Sequence, residues 1–468
     1  LLLLYNLRVP EISPDRQQQF ARMRDTAREI FTSALKNASI ESAFARNLHC
    51  ERRLLRIGDD LYDLDSYSRV FVISIGKAAH TMAAALEAQA GSGSFEDGIV
   101  ASSVEHTTQI RGFRYFCGGH PTPTAESTRA AEAILKSLAA LDAASLVIFM
   151  ISGGGSSIVE KPVDDEISLP DLISTYKALV HSGAPIAEIN AIRKHLSAVK
   201  GGRLAQAAYP AQQVSILVSD VPDATPDALA SGPTMPDSTS INDCERIAAQ
   251  YGLIDQFPKS TANLFRQHAL DETPKSDDPA FIRARWWTVL SNKVAIDEAA
   301  VAATRAGFAV EVDNFCDDWP YEKAAAYLTN RLRELRSKVS RVCLISGGEV
   351  TVTVRDGGVG GRNQQFALAC AELISGSDIT ILSAGTDGID GNSPAAGAVV
   401  DGSTLNRIID RISERRSGRI KTSAGSIEEA RHALATFDAY PLFDALGDGI
   451  VTGPTGNNLR DLRILLAY

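Results

Sequence analysis

"VFVISIGKAAHTMAAALE", Val70 to Glu87, decides how this chain is read. Its first half is a short, continuous apolar run rich in β-branched residues, the pattern of a strand buried on both faces. Its second half is alanine-rich and long enough for a helix. Between them stand Gly76 and Lys77. A helix N-terminus carries partial positive charge and favours anions, so a lysine there is locally unfavourable. Such a turn implies an anion close by.

The same alternation runs through the chain. "DGIVASS", "RYFCGG", "SLVIFMIS", "QVSILVSD", "RWWTVLS", "FAVEVDN", "RVCLISGG", "DITILSAG" and "GAVVD" read as strands, with helix-length segments between most of them. Strands alternating with helices predict an α/β fold with parallel sheets covered by helices. With 468 residues, a domain size of roughly 100–200 residues gives two to four domains. The polar, proline-bearing stretch Gln256 to Ala284 is the natural connector. It divides the chain into an N-terminal α/β domain over 20–255, a connector over 256–284, and a C-terminal α/β domain over 285–468.

Composition narrows the function. Hydrophobic residues make up 44% and charged residues 22%, ordinary globular usage. A net charge of -10 argues against nucleic-acid binding, which needs a basic face. An anionic small molecule would need a local basic pocket. Six cysteines lie far apart without a CxxC pair, which fits a reducing cytoplasm and argues against disulfides or structural zinc. No apolar run approaches the about 20 residues of a membrane span. The opening "LLLLYNLRVP" lacks the basic flank and length of a signal peptide.

"ISGGGSSIVEKP" carries the strongest chemical signal. Gly153, Gly154 and Gly155 follow a buried strand and precede Ser156 and Ser157. Successive backbone N–H groups in such a loop cradle phosphate; the alternative is a flexible turn. "SRVCLISGG" echoes it at Gly347 and Gly348, either as an ordinary turn or as a second loop toward a ligand. A Walker A loop would need glycine at 71 and Ser or Thr at 78, where Phe71 and Ala78 stand, and no GxGxxG opens the first helix.

"INAIRKHLSAVKGGRLAQ" concentrates Arg193, Lys194, His195, Lys200 and Arg203. A charge run is often a solvated face, but paired glycines after Lys200 suggest a second phosphate contact, with Arg193 and Lys194 as candidate substrate contacts. Asp220 ends a strand, a position suited to Mg²⁺ or, alternatively, to turn formation. Asp387 stands among glycines in "SAGTDGIDGNSP", and Arg362 opens an apolar helix after "GGVGG", repeating the puzzle of Lys77. His120 in "GGHPTPTAE" reads as a structural or substrate-binding residue, with a base left open. No GxSxG elbow or Cys/His pair supplies a covalent nucleophile.

Taken in order, "SIGKAA", "GGHPTPTAES", "ISGGGSS", "RKHLSAVKGGRLA", "SDVPDATPDALASGPT", "SGGEVTVTVR", "GGRNQQ", "AGTDGIDG" and "TGPTGNN" resemble the glycerate 2-kinase family, the MOFRL-type glycerate kinases, some of which carry a hydroxypyruvate reductase name. The resemblance runs from about Arg22 to the C-terminus. It implies two α/β domains, the first Rossmann-like, each with a mostly parallel sheet, and an active site in the interdomain cleft. It implies transfer of the ATP γ-phosphoryl group to the 2-hydroxyl of D-glycerate with Mg²⁺. The family's catalytic lysine falls on Lys77, its aspartates on Asp220 and Asp387, which would hold Mg²⁺ or orient the attacking hydroxyl, and its arginine on Arg362. The chain departs from the family pattern at Thr124 and Gln365. A hydroxypyruvate reductase using NAD(P)H, or a non-catalytic sugar-acid sensor, would be the alternatives. Small molecules are the expected partners, with no nucleic acid or membrane, and the oligomeric state, homodimer included, is left open.

Overall fold

Continuous apolar runs need helices on both faces, and the structure supplies them. This computed structural model describes residues 12–95, 97–354, 357–408 and 423–468, so the opening Leu1 to Pro10 lies outside it. The chain divides into an inserted unit, Ile40–Ser291, and a terminal unit made of Leu1–Ser39 and Asn292–Tyr468.

The inserted unit begins with an antiparallel meander, β1 (Leu48–Glu51), β2 (Leu54–Ile57) and β3 (Asp60–Asp63). Six strands follow: β4 (Arg69–Ile75), β5 (Gly98–Ser102), β6 (Phe113–Cys117), β7 (Ser145–Ser152), β8 (Gln212–Val218) and β9 (Ala284–Leu290). They form one sheet in the order β6-β5-β4-β7-β8-β9, parallel throughout. Every residue of β5 and β7 is buried. Phe71, Ile73 and Ile75 alternate onto one face and pack with Ala130, Ala131, Ile134 and Leu138 of helix Ala125–Leu138. The order starts at a central pair, β4 and β7, and grows outward on both sides. In open α/β sheets the crevice beyond the carboxyl ends of such a pair is where ligands bind.

Composition puts a connector at 256–284 and opens the second domain at 285. In the structure that stretch belongs to the inserted unit. Phe257, Ala262, Phe265 and Leu270 are buried against Leu172, Leu179, Ile192 and Ile247, so its polar residues are the wet face of packed structure. β9 pairs with β8, and the division falls after Ser291. Helix Pro14–Asn37 belongs to the terminal unit, burying Ala27, Ile30, Phe31 and Ala34 against Ile345, Leu382, Val399 and Ile464.

The terminal unit's sheet comprises β10 (Ala309–Val312), β11 (Val342–Gly348), β12 (Ile379–Gly385), β13 (Gly397–Asp401), β14 (Gly449–Ile450) and β15 (Asp461–Ala467), in the order β10-β11-β15-β12-β13-β14. The expectation of a mostly parallel sheet is corrected here. Only β10 and β11 pair in parallel, and the other four pairings are antiparallel. β13 returns from β12 through a loop without a crossover helix, which permits only antiparallel pairing. β15 then inserts antiparallel between β11 and β12, separating two strands that run the same way. Among the described residues no helix is long and apolar enough to cross a membrane.

Candidate active site

The carboxyl ends of β4, β6 and β8 bring three expected residues, Lys77, His120 and Asp220, to two adjacent glycines beyond β7. The Lys77 N–H donates to the Gly153 carbonyl at 2.9 Å, tying the β4 turn to the β7 turn. The next N–H, of Ala78, is taken by Ser152 Oγ at 3.1 Å. A Cβ on Gly153 would fall on Asp220 Oδ2, and one on Gly154 would lie 3.0 Å from His120 Cδ2 and 3.1 Å from Lys77 Cγ. Glycine at both positions lets Asp220 reach the loop on one side and Lys77 and His120 cross it on the other.

Lys77 and His120 are exposed and Asp220 is half-buried. Among the described residues the structure gives Lys77 no carboxylate partner, so its charge is available to a ligand. Partial burial and the Lys77 charge both lower the His120 pKa, keeping the imidazole neutral at neutral pH.

The loop is braced from a side the sequence did not signal. Ser156 Oγ lies 3.0 Å from Ser231 Oγ. Ala230 and Ser231 have φ of 50° and 62°, a left-handed conformation that non-glycine residues hold only under outside constraint. The constraint is visible. Gly201 N–H donates to Ser231 O at 3.0 Å and Gly202 N–H to Gly232 O at 2.8 Å. The Lys200–Arg203 turn, expected to face an anion, instead clamps this segment.

Lys200 is corrected likewise. It is buried, and its ammonium is bonded to buried Glu160, which also accepts from Tyr176 Oη at 2.8 Å and Ser197 Oγ at 2.6 Å. Burial lowers the Lys200 pKa and Glu160 opposes it, and the ammonium meets its counter-charge within the core. Lys194, an expected substrate contact, is buried between Asp227 at 2.8 Å and Asp237 at 3.1 Å. Arg193 stacks on Tyr176 with its guanidinium carbon 4.9 Å from the ring centre. Arg193 and Lys194 hold the helix Ile186–His195 in place, while Lys200 lines a small cavity with Gly155 of the glycine loop but keeps its ammonium on Glu160.

The terminal unit builds a separate constellation. Arg362 opens helix Arg362–Leu373 and is gripped by buried Asp461, Nε to Oδ2 at 2.7 Å and Nη2 to Oδ1 at 3.0 Å, with Glu349 2.9 Å away. Burial alone would lower the Arg362 pKa, but the Asp461 bonds and the Asp461, Glu349 and Asp390 charges outweigh it and raise it. Asp390 caps the helix by accepting from the N–H groups of Asn363 at 3.0 Å and Gln364 at 2.9 Å. Arg362 therefore has its anions within the protein, unlike Lys77.

Gly347 and Gly348, expected to bind phosphate, need correction too. Their N–H groups donate to Asn314 Oδ1 at 2.8 Å and Asn292 Oδ1 at 2.9 Å, and the Glu349 N–H donates to Asp317 Oδ1 at 2.9 Å. The nest is filled by the protein's own acceptors. Asp387, half-buried beyond β12, accepts the Ile389 N–H at 3.1 Å, and its carbonyl takes the Thr455 N–H. It faces a cavity of about 530 Å³ that Arg362 also lines.

Two family models divide the chain much as its motifs do: a domain of unknown function (DUF4147) over residues 26–266 and the MOFRL family over 342–461. A D-glycerate 2-kinase of Thermotoga maritima is 35% identical over 85% of this chain and 90% of its own length. A crystal structure of glycerate kinase from the same organism matches with a TM-score of 0.79 at 30% identity, covering 96% of this chain and all of that one. The chain belongs to the glycerate 2-kinase family. An Agrobacterium vitis relative named provisionally as a hydroxypyruvate reductase is 34% identical over 95% of this chain and 94% of its own.

The two departures from the glycerate 2-kinase pattern have different physical characters. Thr124 is the N-cap of helix Ala125–Leu138 in a capping box, with its N–H donating to Ser127 Oγ at 3.1 Å. Gln365 is fully buried, and among the described residues neither polar atom of its amide has a hydrogen-bond partner. Glu160, Ser231 and Asp461 are the residues that sequence reasoning missed. Asp461 stands just beyond "TGPTGNN", a signal that a glycine-rich turn alone does not carry.

Proposed function

We propose that this member of the glycerate 2-kinase family transfers the γ-phosphoryl group of ATP to the 2-hydroxyl of D-glycerate, releasing ADP and 2-phospho-D-glycerate. One observation supports the reading at these residues: the Lys77 side chain crosses Gly154 with no carboxylate partner among the described residues, and Asp220 lies against Gly153, at the ends of the central strand pair. Phosphoryl transfer requires mainly positioning and stabilisation of charge on the transferred group. Lys77 supplies that charge. The 2-hydroxyl oxygen forms the new bond to phosphorus, the bond to the ADP oxygen breaks, and the hydroxyl proton leaves to a nearby base. Asp220 orients the hydroxyl and accepts its proton, or holds a metal. Neutral His120 hydrogen-bonds the glycerate. Arg362, fixed by Asp461, presents a rigid donor to the terminal unit's cavity.

Asp220 is a half-buried hard oxygen donor just beyond β8, which fits Mg²⁺ bound by one or two carboxylates plus phosphates. When bound, Mg²⁺ would neutralise phosphate charge. All six cysteines are free thiols, in keeping with a cytoplasmic setting.

Incubation with ATP, Mg²⁺ and D-glycerate, read by phosphorus NMR, tests the reading. Enolase added without phosphoglycerate mutase should give signal directly; signal only after mutase would point to the 3-hydroxyl. Oxidation of NADH by hydroxypyruvate in proportion to enzyme would favour the reductase name of the Agrobacterium relative.

A further inference from the structure

We propose that the cavity of the terminal unit seats the nucleoside part of ATP, an inference that rests on the phosphotransfer reading above. At about 530 Å³ it lies within the range of small-molecule sites. Its walls are apolar on one side, where Val352, Val354, Ile389 and Phe437 line it. Val354 is 68% and Ile389 48% exposed, so among the described residues apolar surface stands open there. A flat purine is the part of ATP that such walls suit.

The polar side suits a ribose. Asp387 and Asn392 line the same cavity, and a carboxylate accepts well from sugar hydroxyls. The charge balance points the same way. Asp387 and Asp390 face the cavity, and the one cation lining it among the described residues, Arg362, is already matched by Asp461 and Glu349. These surroundings favour the uncharged nucleoside over the bare triphosphate.

Phe437 adds an independent observation. Helix Ser423–Thr436 ends with the Asp438 N–H donating to Ala433 O at 2.9 Å, a helix stop in which the residue after the helix is left-handed and is usually glycine. That residue is Phe437, at φ 56°. The next helix, Tyr440–Leu446, stops on Gly447 at φ 69°. Phenylalanine in a backbone conformation made for glycine gains nothing locally. What it gains is a ring on the cavity wall. The facing loop comes close enough that a Cβ on Gly358 would press on the Thr436 and Phe437 carbonyl oxygens.

Phe437→Gly relaxes the backbone and removes the ring, so it separates a ligand role from a structural one. Calorimetric titration with ADP and Mg²⁺, and separately with D-glycerate, is run on the wild type, Phe437→Gly and Ile389→Asp. Both variants are expected to weaken ADP binding at least tenfold and to leave D-glycerate binding unchanged, with Phe437→Gly melting no lower than the wild type. Unchanged ADP affinity in both variants overturns the inference while a wild type that still makes 2-phosphoglycerate keeps the function. Weakened D-glycerate with unchanged ADP makes the cavity the acceptor site and also overturns it. A wild type that binds ADP, loses it in both variants and yet makes no phosphoglycerate supports the nucleoside seat and sinks the function. A wild type that binds no ADP overturns both.

Discussion

Asp461 holds Arg362 through both carboxylate oxygens, at 2.7 Å and 3.0 Å, across 99 residues of sequence. Asp461 is fully buried, and this two-point grip fixes the plane of the guanidinium. Asp461→Asn removes one charge of a buried pair and should lower stability by about 3 kcal/mol, measured by urea unfolding. Arg362→Lys should also be poorly tolerated, since an ammonium has no fork to match the carboxylate. A wild-type midpoint for Asp461→Asn would mean the pair is dispensable.

Lys77→Met should fold normally and lose roughly 10²–10³ in kcat, the scale for losing one preorganised donor to developing charge. Lys77→Arg should recover little, because a planar fork does not replace a compact ammonium. Steady-state kinetics beside a melting curve decide it, and a normal kcat with normal melting would falsify the role.

The same variant tests the geometry. Burial and Lys77 together lower the His120 pKa. Removing a nearby positive charge favours the protonated imidazole, so the His120 pKa should rise in Lys77→Met. Proton NMR titration of the imidazole reads this directly. An unmoved resonance would mean that the two side chains do not share the space over Gly154.

Lys200→Met should act on stability and not on nucleotide binding. It strands the Glu160 carboxylate, which is fully buried, and should cost about 3–5 kcal/mol. Adding Glu160→Gln should restore part of that. Purified enzyme that folds normally but shows a raised KM for ATP would return Lys200 to the phosphate role.

Gln365→Met should stabilise the protein by about 1–2 kcal/mol, because it replaces a buried amide without partners by a side chain of similar shape. Chemical denaturation checks the sign, and a loss of stability would indicate a water or side chain satisfying the amide.

The inserted unit was legible because its signals are local. Apolar runs such as Ser145–Ser152 mark strands buried on both faces, and residues directly after them, Lys77, Gly153 and Asp220, inherit the carboxyl edge of the sheet. The cations were not legible in the same way. Lys200 and Lys194 look alike in sequence to ligand-binding residues, and their partners Glu160, Asp227 and Asp237 stand 33 to 43 residues away. A cation's role depends on where its counter-charge comes to rest, and no local pattern records that. The terminal sheet failed for a related reason. Alternation of strand and helix predicts direction for β10, β11 and β12, but it is blind to a late strand that enters between two of them.

That late strand bears on how the protein is made. β15 is the last strand in the chain, yet it sits inside its sheet, and Asp461 is its first residue. Helix Pro14–Asn37 precedes the inserted unit in sequence, and its apolar stripe packs on strands that follow that unit. The inserted unit emerges whole in between and can fold while translation continues. Without β15 the terminal sheet would lose the strand that joins β11 to β12, and Arg362 would keep Glu349 but lose the two-point grip of Asp461. Entry of β15 is thus the step that arms the terminal unit, so variants lacking this strand would remain open to proteolysis and inert.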